Sequence, residues 1–125
     1  MEPGIGIDLI EISRIEKSVS DYGDRFLNRI FTTAEIGYCS SRANPYSHYA
    51  ARFAAKEAFA KAAGTGIGQE IGWQDIEIVR EFSGRPGILI SERIRQRFTG
   101  FQVLLSVSHT HDYAVAMVSI QPDRV

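Results

Sequence analysis

Fifteen consecutive residues, Arg52 to Gly66, constrain this chain more than any others. Ala54, Ala55, Ala58, Ala60, Ala62 and Ala63 give a strong helix former with almost no side-chain bulk, and Gly64 follows where a left-handed C-terminal cap belongs. Extended back to Ser47, the segment predicts the longest helix of the chain. A surface this bare suits two purposes: close helix packing, or approach of a bulky anionic ligand to the backbone. Set into it are one carboxylate, Glu57, and three cations, Arg52, Lys56 and Lys61. Glu57 and Lys61 share a helix face, so an i,i+4 ion pair is one reading and a face that holds a charged ligand is the other.

Around this helix the pattern is mixed. Gly4 to Asp8, with Ile5 and Ile7 alternating, reads as a short strand, and Ile12, Ile15, Val19 and Tyr22 mark a helical stripe after it. Asp8 thus falls where strand gives way to helix, and Asp8-Leu9-Ile10-Glu11 has capping-box spacing. Thr32 with Glu35 forms a capping box before a second short helix, which Asn44-Pro45 ends. Trp73 to Val79 reads as a strand, Ser83-Gly84-Arg85-Pro86 as a turn into the strand Gly87 to Ile90, and Ser91 to Phe98 as a short helix. Gln102 to Ser108 and Tyr113 to Ile120 form an antiparallel hairpin across His109-Thr110-His111-Asp112. Helices clustered first and strands mostly later argue for an α+β fold with an antiparallel sheet, in one domain spanning 1–125.

At 125 residues and 44% hydrophobic content, one core needs no disulfide or metal staple. The single cysteine, Cys39, cannot form an intramolecular disulfide, which fits a reducing compartment. No signal-peptide pattern opens the chain and no apolar run reaches membrane-span length, so the expectation is a cytoplasmic protein with no membrane partner. A formal net charge of −1 supplies no global field for nucleic acid. Attraction to an anionic partner must come from local patches.

Asp8 and Glu57 offer hard oxygen ligands, which favour Mg²⁺, or Mn²⁺, over zinc. Asp8 has an equal claim as a helix cap, and one carboxylate can serve both roles. His109, His111 and Asp112 have little to recommend them as a transition-metal site, because no cysteine joins them. Gly64-Thr65-Gly66-Ile67-Gly68 follows a helix instead of opening one, so a cap and turn explains it better than a phosphate loop. Arg14, Lys17, Arg25 and Arg29 alternate with Glu11, Glu16, Asp21 and Asp24, the pattern of a solvated mixed-charge face.

Gly4-Ile5-Gly6-Ile7-Asp8, Arg52-Phe53-Ala54-Ala55-Lys56-Glu57-Ala58, Gly64-Thr65-Gly66-Ile67-Gly68, Gly84-Arg85-Pro86 and Ser108-His109 occur in one order along nearly the whole chain. In this combination the sequence resembles the holo-acyl-carrier-protein synthases of the 4′-phosphopantetheinyl transferase family. The resemblance implies that family's α+β fold, with an antiparallel sheet packed against one long and several short helices. It implies transfer of 4′-phosphopantetheine from coenzyme A to a serine of apo-acyl carrier protein, Mg²⁺-dependent, priming fatty-acid synthesis. It also implies a homotrimer with coenzyme A held between subunits. Carried onto this chain, Asp8 and Glu57 hold the metal and act in catalysis with Lys61 and His109. Coenzyme A falls to Arg52, Lys61, Gly84, Arg85, Pro86, Ser108 and His109, and the carrier protein to Arg14, Arg25 and Phe26. Ser83 and Arg85 depart from the Asn and Lys common in the family's basic turn. Glu57, a metal-bound water, or Asp8 through a water stand as alternatives for the general base. A coenzyme-A-binding module would not need both carboxylates, and a Mg²⁺-dependent phosphodiesterase would need no acidic protein partner.

Overall fold

The computed structural model describes residues 1–124. The elements run β1 (Gly4–Glu11), α1 (Ile12–Tyr22), α2 (Asp24–Ile30), α3 (Thr33–Ser40), α4 (Pro45–Ala62), β2 (Ile76–Arg80), β3 (Pro86–Ile90), α5 (Glu92–Arg95), β4 (Phe101–His109) and β5 (Tyr113–Pro122), with single 3₁₀ turns at Trp73–Asp75 and Gln96–Phe98. Strands β1, β5 and β4 form an antiparallel sheet in that order, and β2 with β3 forms a separate hairpin. The α+β expectation and the β4–β5 hairpin hold.

Helix α4 lies on the inner face of the larger sheet, against β1 and β5. Ala114, Ala116, Val118 and Ile120 of β5 face it and are buried, as are Ala54, Ala55, Ala58, Ala60 and Ala62. The alanines therefore serve close packing. Gly4 shows how close: a β-carbon there would lie 1.9 Å from the Ala62 carbonyl oxygen, so only glycine lets β1 rest on the helix backbone. Helix α4 ends at Ala62, and Gly64, at φ 84°, turns the chain away as the cap expected of it.

A second core, built from Ile12, Ile15, Leu27, Ile30, Phe31 and Tyr49, joins α1 and α2 to the N-terminal half of α4. The Thr32–Glu35 capping box opens α3 as predicted. Glu35 does more than cap: it is wholly buried, pairs with Lys56 at 2.7 Å and accepts the Ile78 N–H at 2.8 Å. Lys56 Nζ also donates to the carbonyls of Ile30 (2.8 Å) and Trp73 (3.0 Å). One of the three helix cations is thereby committed to the interior, where a buried ion pair persists only with its remaining hydrogen bonds satisfied.

Three local expectations need correction. Asp8 does not stand at a helix start: β1 continues to Glu11, Asp8 pairs with Ala116 in its middle, and Glu11 occupies the α1 N-cap. Pairing with β5 overrides the capping-box spacing. Pro45 does not end α3, which stops at Ser40, but opens α4 at its first turn, where proline lacks no needed hydrogen bond. Trp73–Asp75 is a 3₁₀ turn, and the strand begins at Ile76. The outer face of the three-stranded sheet leaves Ile5, Ile7, Leu9, Leu104 and Met117 exposed.

Candidate active site

Close packing of β1 on α4 sets Asp8 beside the exposed turns of the helix. Lys61 Nζ donates to Asp8 Oδ1 and to the Ile7 carbonyl, each at 3.1 Å, so the cation turns to β1 and not to Glu57. The i,i+4 pair does not form. Glu57 instead faces a cleft shared with Asp8, Arg14, Phe26 and Phe53. Burial and the neighbouring Asp8 charge push its carboxyl above the usual value against the opposing pull of Lys61. A carboxylate raised by a second carboxylate beside it belongs to a donor set whose repulsion a hard cation relieves. Two carboxylate oxygen donors facing one cleft fit the chemistry of a hard ion such as Mg²⁺.

A groove lined by Ser18, Tyr22, Arg25, Phe26 and Arg29 continues from this cleft, the two sharing Ser18 and Phe26. Arg14, on α1, is exposed at the cleft and Arg25, on α2, along the groove. The mixed-charge face thus has a structural direction: Arg14 and Phe26 share the cleft with the carboxylates, and Arg25 and Arg29 line the adjoining groove.

Arg52 and His109 belong to a different cleft, lined by Ser47, His48, Ala51, Ile78, Val79, Arg80, Pro86 and Val107 as well. Arg52 and His48 project from α4, Arg80 from β2, Pro86 from β3 and His109 from the end of β4. Arg52 is 8% exposed, and its Nε is a buried donor with no acceptor among the described residues. The His48 imidazole is pushed below its usual value, first by burial and then by Arg52, Arg42, His109 and Arg80. Such a cluster of cations is chemically an anion site. Gly84, at φ 89°, and the exposed Arg85 sit in the β2–β3 turn, where Arg80 Nη1 donates to the Gly84 carbonyl at 3.3 Å.

The proposed residues therefore separate within one chain into a carboxylate cleft with Lys61 and a basic cleft with Arg52, Pro86 and His109. Ser108 joins neither. It pairs with Val115 on β5, and strand alternation turns it to the outer sheet face, opposite His109. Sequence reasoning missed His48, Arg80 and Arg42, which meet only through the fold; their separate positions carry no spacing signal. His111 is exposed and contacts Asp112 at 3.1 Å.

Residues 4–118 match the family model of the 4′-phosphopantetheinyl transferase superfamily. The chain is 54% identical over 114 residues to the holo-acyl-carrier-protein synthase of Chlamydia trachomatis serovar D, covering 91% of this chain and 95% of that protein. Its fold is similar to the crystal structure of a holo-acyl-carrier-protein synthase from Bacillus anthracis in complex with CoA (3′,5′-ADP), at TM-score 0.82 and 40% identity over 96% of each chain. The Helicobacter pylori holo-acyl-carrier-protein synthase in complex with coenzyme A gives TM-score 0.85 and 36% identity, covering 94% of this chain and 99% of that one.

Proposed function

The chain belongs to the holo-acyl-carrier-protein synthases of the 4′-phosphopantetheinyl transferase superfamily and is an enzyme of that kind, and from that premise we propose how its two clefts serve one reaction. A carrier-protein serine attacks the β-phosphorus of coenzyme A. The new serine–phosphorus bond carries 4′-phosphopantetheine, the diphosphate P–O bond breaks, and adenosine 3′,5′-bisphosphate leaves. The product is the holo-carrier protein that fatty-acid synthesis requires.

Asp8 and Glu57 are the anchors for Mg²⁺, with Mn²⁺ as a substitute. When bound, the ion supplies charge neutralisation on the diphosphate oxygens. Lys61, held against Asp8 with half its side chain exposed, adds a cation at the same edge. Glu57 is the better acceptor for the serine proton: Asp8 is already hydrogen-bonded by Lys61, and burial raises the Glu57 carboxyl's affinity for a proton. The basic cleft of Arg52 and His109, with the Gly84-Arg85-Pro86 turn, takes the nucleotide's phosphates. Arg14, Arg25 and Phe26 border the carboxylate cleft and receive the acidic carrier protein, which brings its serine to Glu57.

The observation that carries this reading is the meeting of Asp8 and Glu57 in a cleft that opens onto the Arg25 and Phe26 groove. A metal pair and a protein-docking groove are thus contiguous, an arrangement a simple phosphodiesterase does not need. Assembly follows the same logic. Ile7 and Met117 are cross-strand neighbours on the exposed outer sheet face, alongside Ile5, Leu9 and Leu104, and burying them between copies supports a homotrimer. In that ring the carboxylate cleft of one subunit and the basic turn of the next complete one coenzyme A site.

The test is incubation with coenzyme A, Mg²⁺ and apo-acyl carrier protein, followed by intact-mass spectrometry. A carrier protein heavier by one phosphopantetheine on its serine is the expected result. Hydrolysis of coenzyme A without an adduct would favour the phosphodiesterase, and binding without either product a coenzyme-A-binding module.

A further inference from the structure

Tyr38, on α3, is the common neighbour of three guanidinium groups from three separate stretches of chain. Arg52 on α4 lies 4.4 Å from its ring centroid, Arg42 between α3 and α4 lies 5.1 Å away, and Arg80 at the end of β2 lies 5.6 Å away. The His48 ring meets it edge-on at 5.7 Å. Like charges gathered this closely repel, and among the described residues none of the three arginines forms an ion pair. The negative face of an aromatic ring offsets part of that repulsion. Arg52 Nε, buried without an acceptor, shows the remainder: a buried donor left unpaired is costly, and an anion in the cleft would satisfy it. Tyr38 itself does not line the cleft, whereas Arg52, Arg80 and His48 do.

We propose that Tyr38 is a positioning residue whose ring, shared with Arg42, holds Arg52 and Arg80 in a preformed site for a phosphate group of the donor nucleotide. The proposal rests on the transferase reading for the identity of that donor. Its phosphate has two sources, the terminal 3′-monoester and the central diphosphate, and donors with and without the monoester separate them. The ring is the working part, because the Tyr38 hydroxyl makes no hydrogen bond among the described residues.

Calorimetric titration of coenzyme A and of 3′-dephospho-coenzyme A into the wild type, Tyr38→Phe, Tyr38→Leu and Tyr38→Met tests this, with steady-state kinetics beside it. Tyr38→Phe should match the wild type. Both aliphatic variants should weaken coenzyme A about tenfold in Kd and KM with kcat nearly unchanged, the scale of lost cation–π contacts. If the site holds the monoester, the loss disappears with the dephospho donor; if it holds the diphosphate, the loss is equal for both. Unchanged Kd in folded Tyr38→Leu and Tyr38→Met, or a Phe variant as weak as they are, overturns the role. A wild type that binds neither nucleotide overturns the donor assignment and the transferase reading with it, an outcome distinct from loss of the ring effect alone.

Discussion

Gly6 of β1 lies so close to α4 that a β-carbon added to it would stand 2.0 Å from the carbonyl oxygen of Ala58 and 2.7 Å from the Ala62 nitrogen. Both neighbours are helix backbone, which cannot rotate away as a flexible side chain would. Gly6→Ala must therefore lift β1 from the helix, and with it Asp8 from Glu57. We expect a loss of about 3 kcal/mol or more, at the upper end for overpacking, seen as a melting point lower by about 10 °C at fixed protein concentration. An unchanged melting point would show that the strand and helix are not held in this contact.

The two acidic residues of the cleft should separate activity from folding. Among the described residues Asp8 is paired only with the half-exposed Lys61, so Asp8→Ala removes an interaction worth about 1 kcal/mol or less. Glu57 has no ion-pair partner among the described residues. Asp8→Ala and Glu57→Ala should each cut Mg²⁺-dependent transfer by about 100-fold or more while circular dichroism and melting stay near wild type. Near-normal turnover in both would end the metal-anchor assignment.

What was legible in the sequence depended on range. The α4 helix was readable from its alanines and Gly64, and the capping box from Thr32 and Glu35, because each signal lies within a few residues. The second role of Glu35 was not, since its partner Lys56 lies 21 positions away and announces itself only as one more surface-type cation. Asp8 sits elsewhere than its spacing suggests: Asp-x-x-Glu spacing signals a cap, but pairing along β5 carries the strand through it. The basic cleft was half visible. Arg52 and His109 came from motifs, whereas His48 and Arg80 are brought into the cleft by the meeting of α4 and β2.

Acid should unfold this protein partly through Asp75. Hydrogen bonding from Arg93, and then from Ser91 Oγ and the Gly72 N–H, holds its carboxyl at about 2, below the ordinary 3.8, against the upward push of burial. The folded state therefore favours the charged form. That contribution is complete above the ordinary value and is lost as pH falls from about 4 towards 2. Asp75→Asn should flatten the decline of melting temperature across this window, while lowering stability at neutral pH. A variant whose acid limb keeps the wild-type slope would place the sensitivity elsewhere.

Carrier-protein docking should be electrostatic. Arg14→Glu combined with Arg25→Glu reverses two exposed charges beside the carboxylate cleft without touching the cleft's acids. KM for the carrier protein should rise by about tenfold or more, KM for coenzyme A should change little, and wild-type association should weaken with salt because exposed charges are screened over about 8 Å at physiological ionic strength. A flat salt response with an unchanged carrier KM would leave these arginines as a solvated face.

The separation of the carboxylate and basic clefts makes a prediction about sharing. A ring of three copies that joins one subunit's Asp8 and Glu57 to the next subunit's Gly84-Arg85-Pro86 turn has three equivalent composite sites. Asp8→Ala and Arg85→Glu should then each inactivate every site of their own homotrimers. Unfolded together and refolded, the two variants form mixed rings in which some interfaces draw the intact acidic half from one chain and the intact basic turn from another. Activity should return in part, rising with the fraction of mixed rings measured by native mass spectrometry. If verified mixed trimers stay inactive, each site is built within one chain; if light scattering finds only monomer, the outer face of Ile5, Ile7 and Met117 covers no second copy.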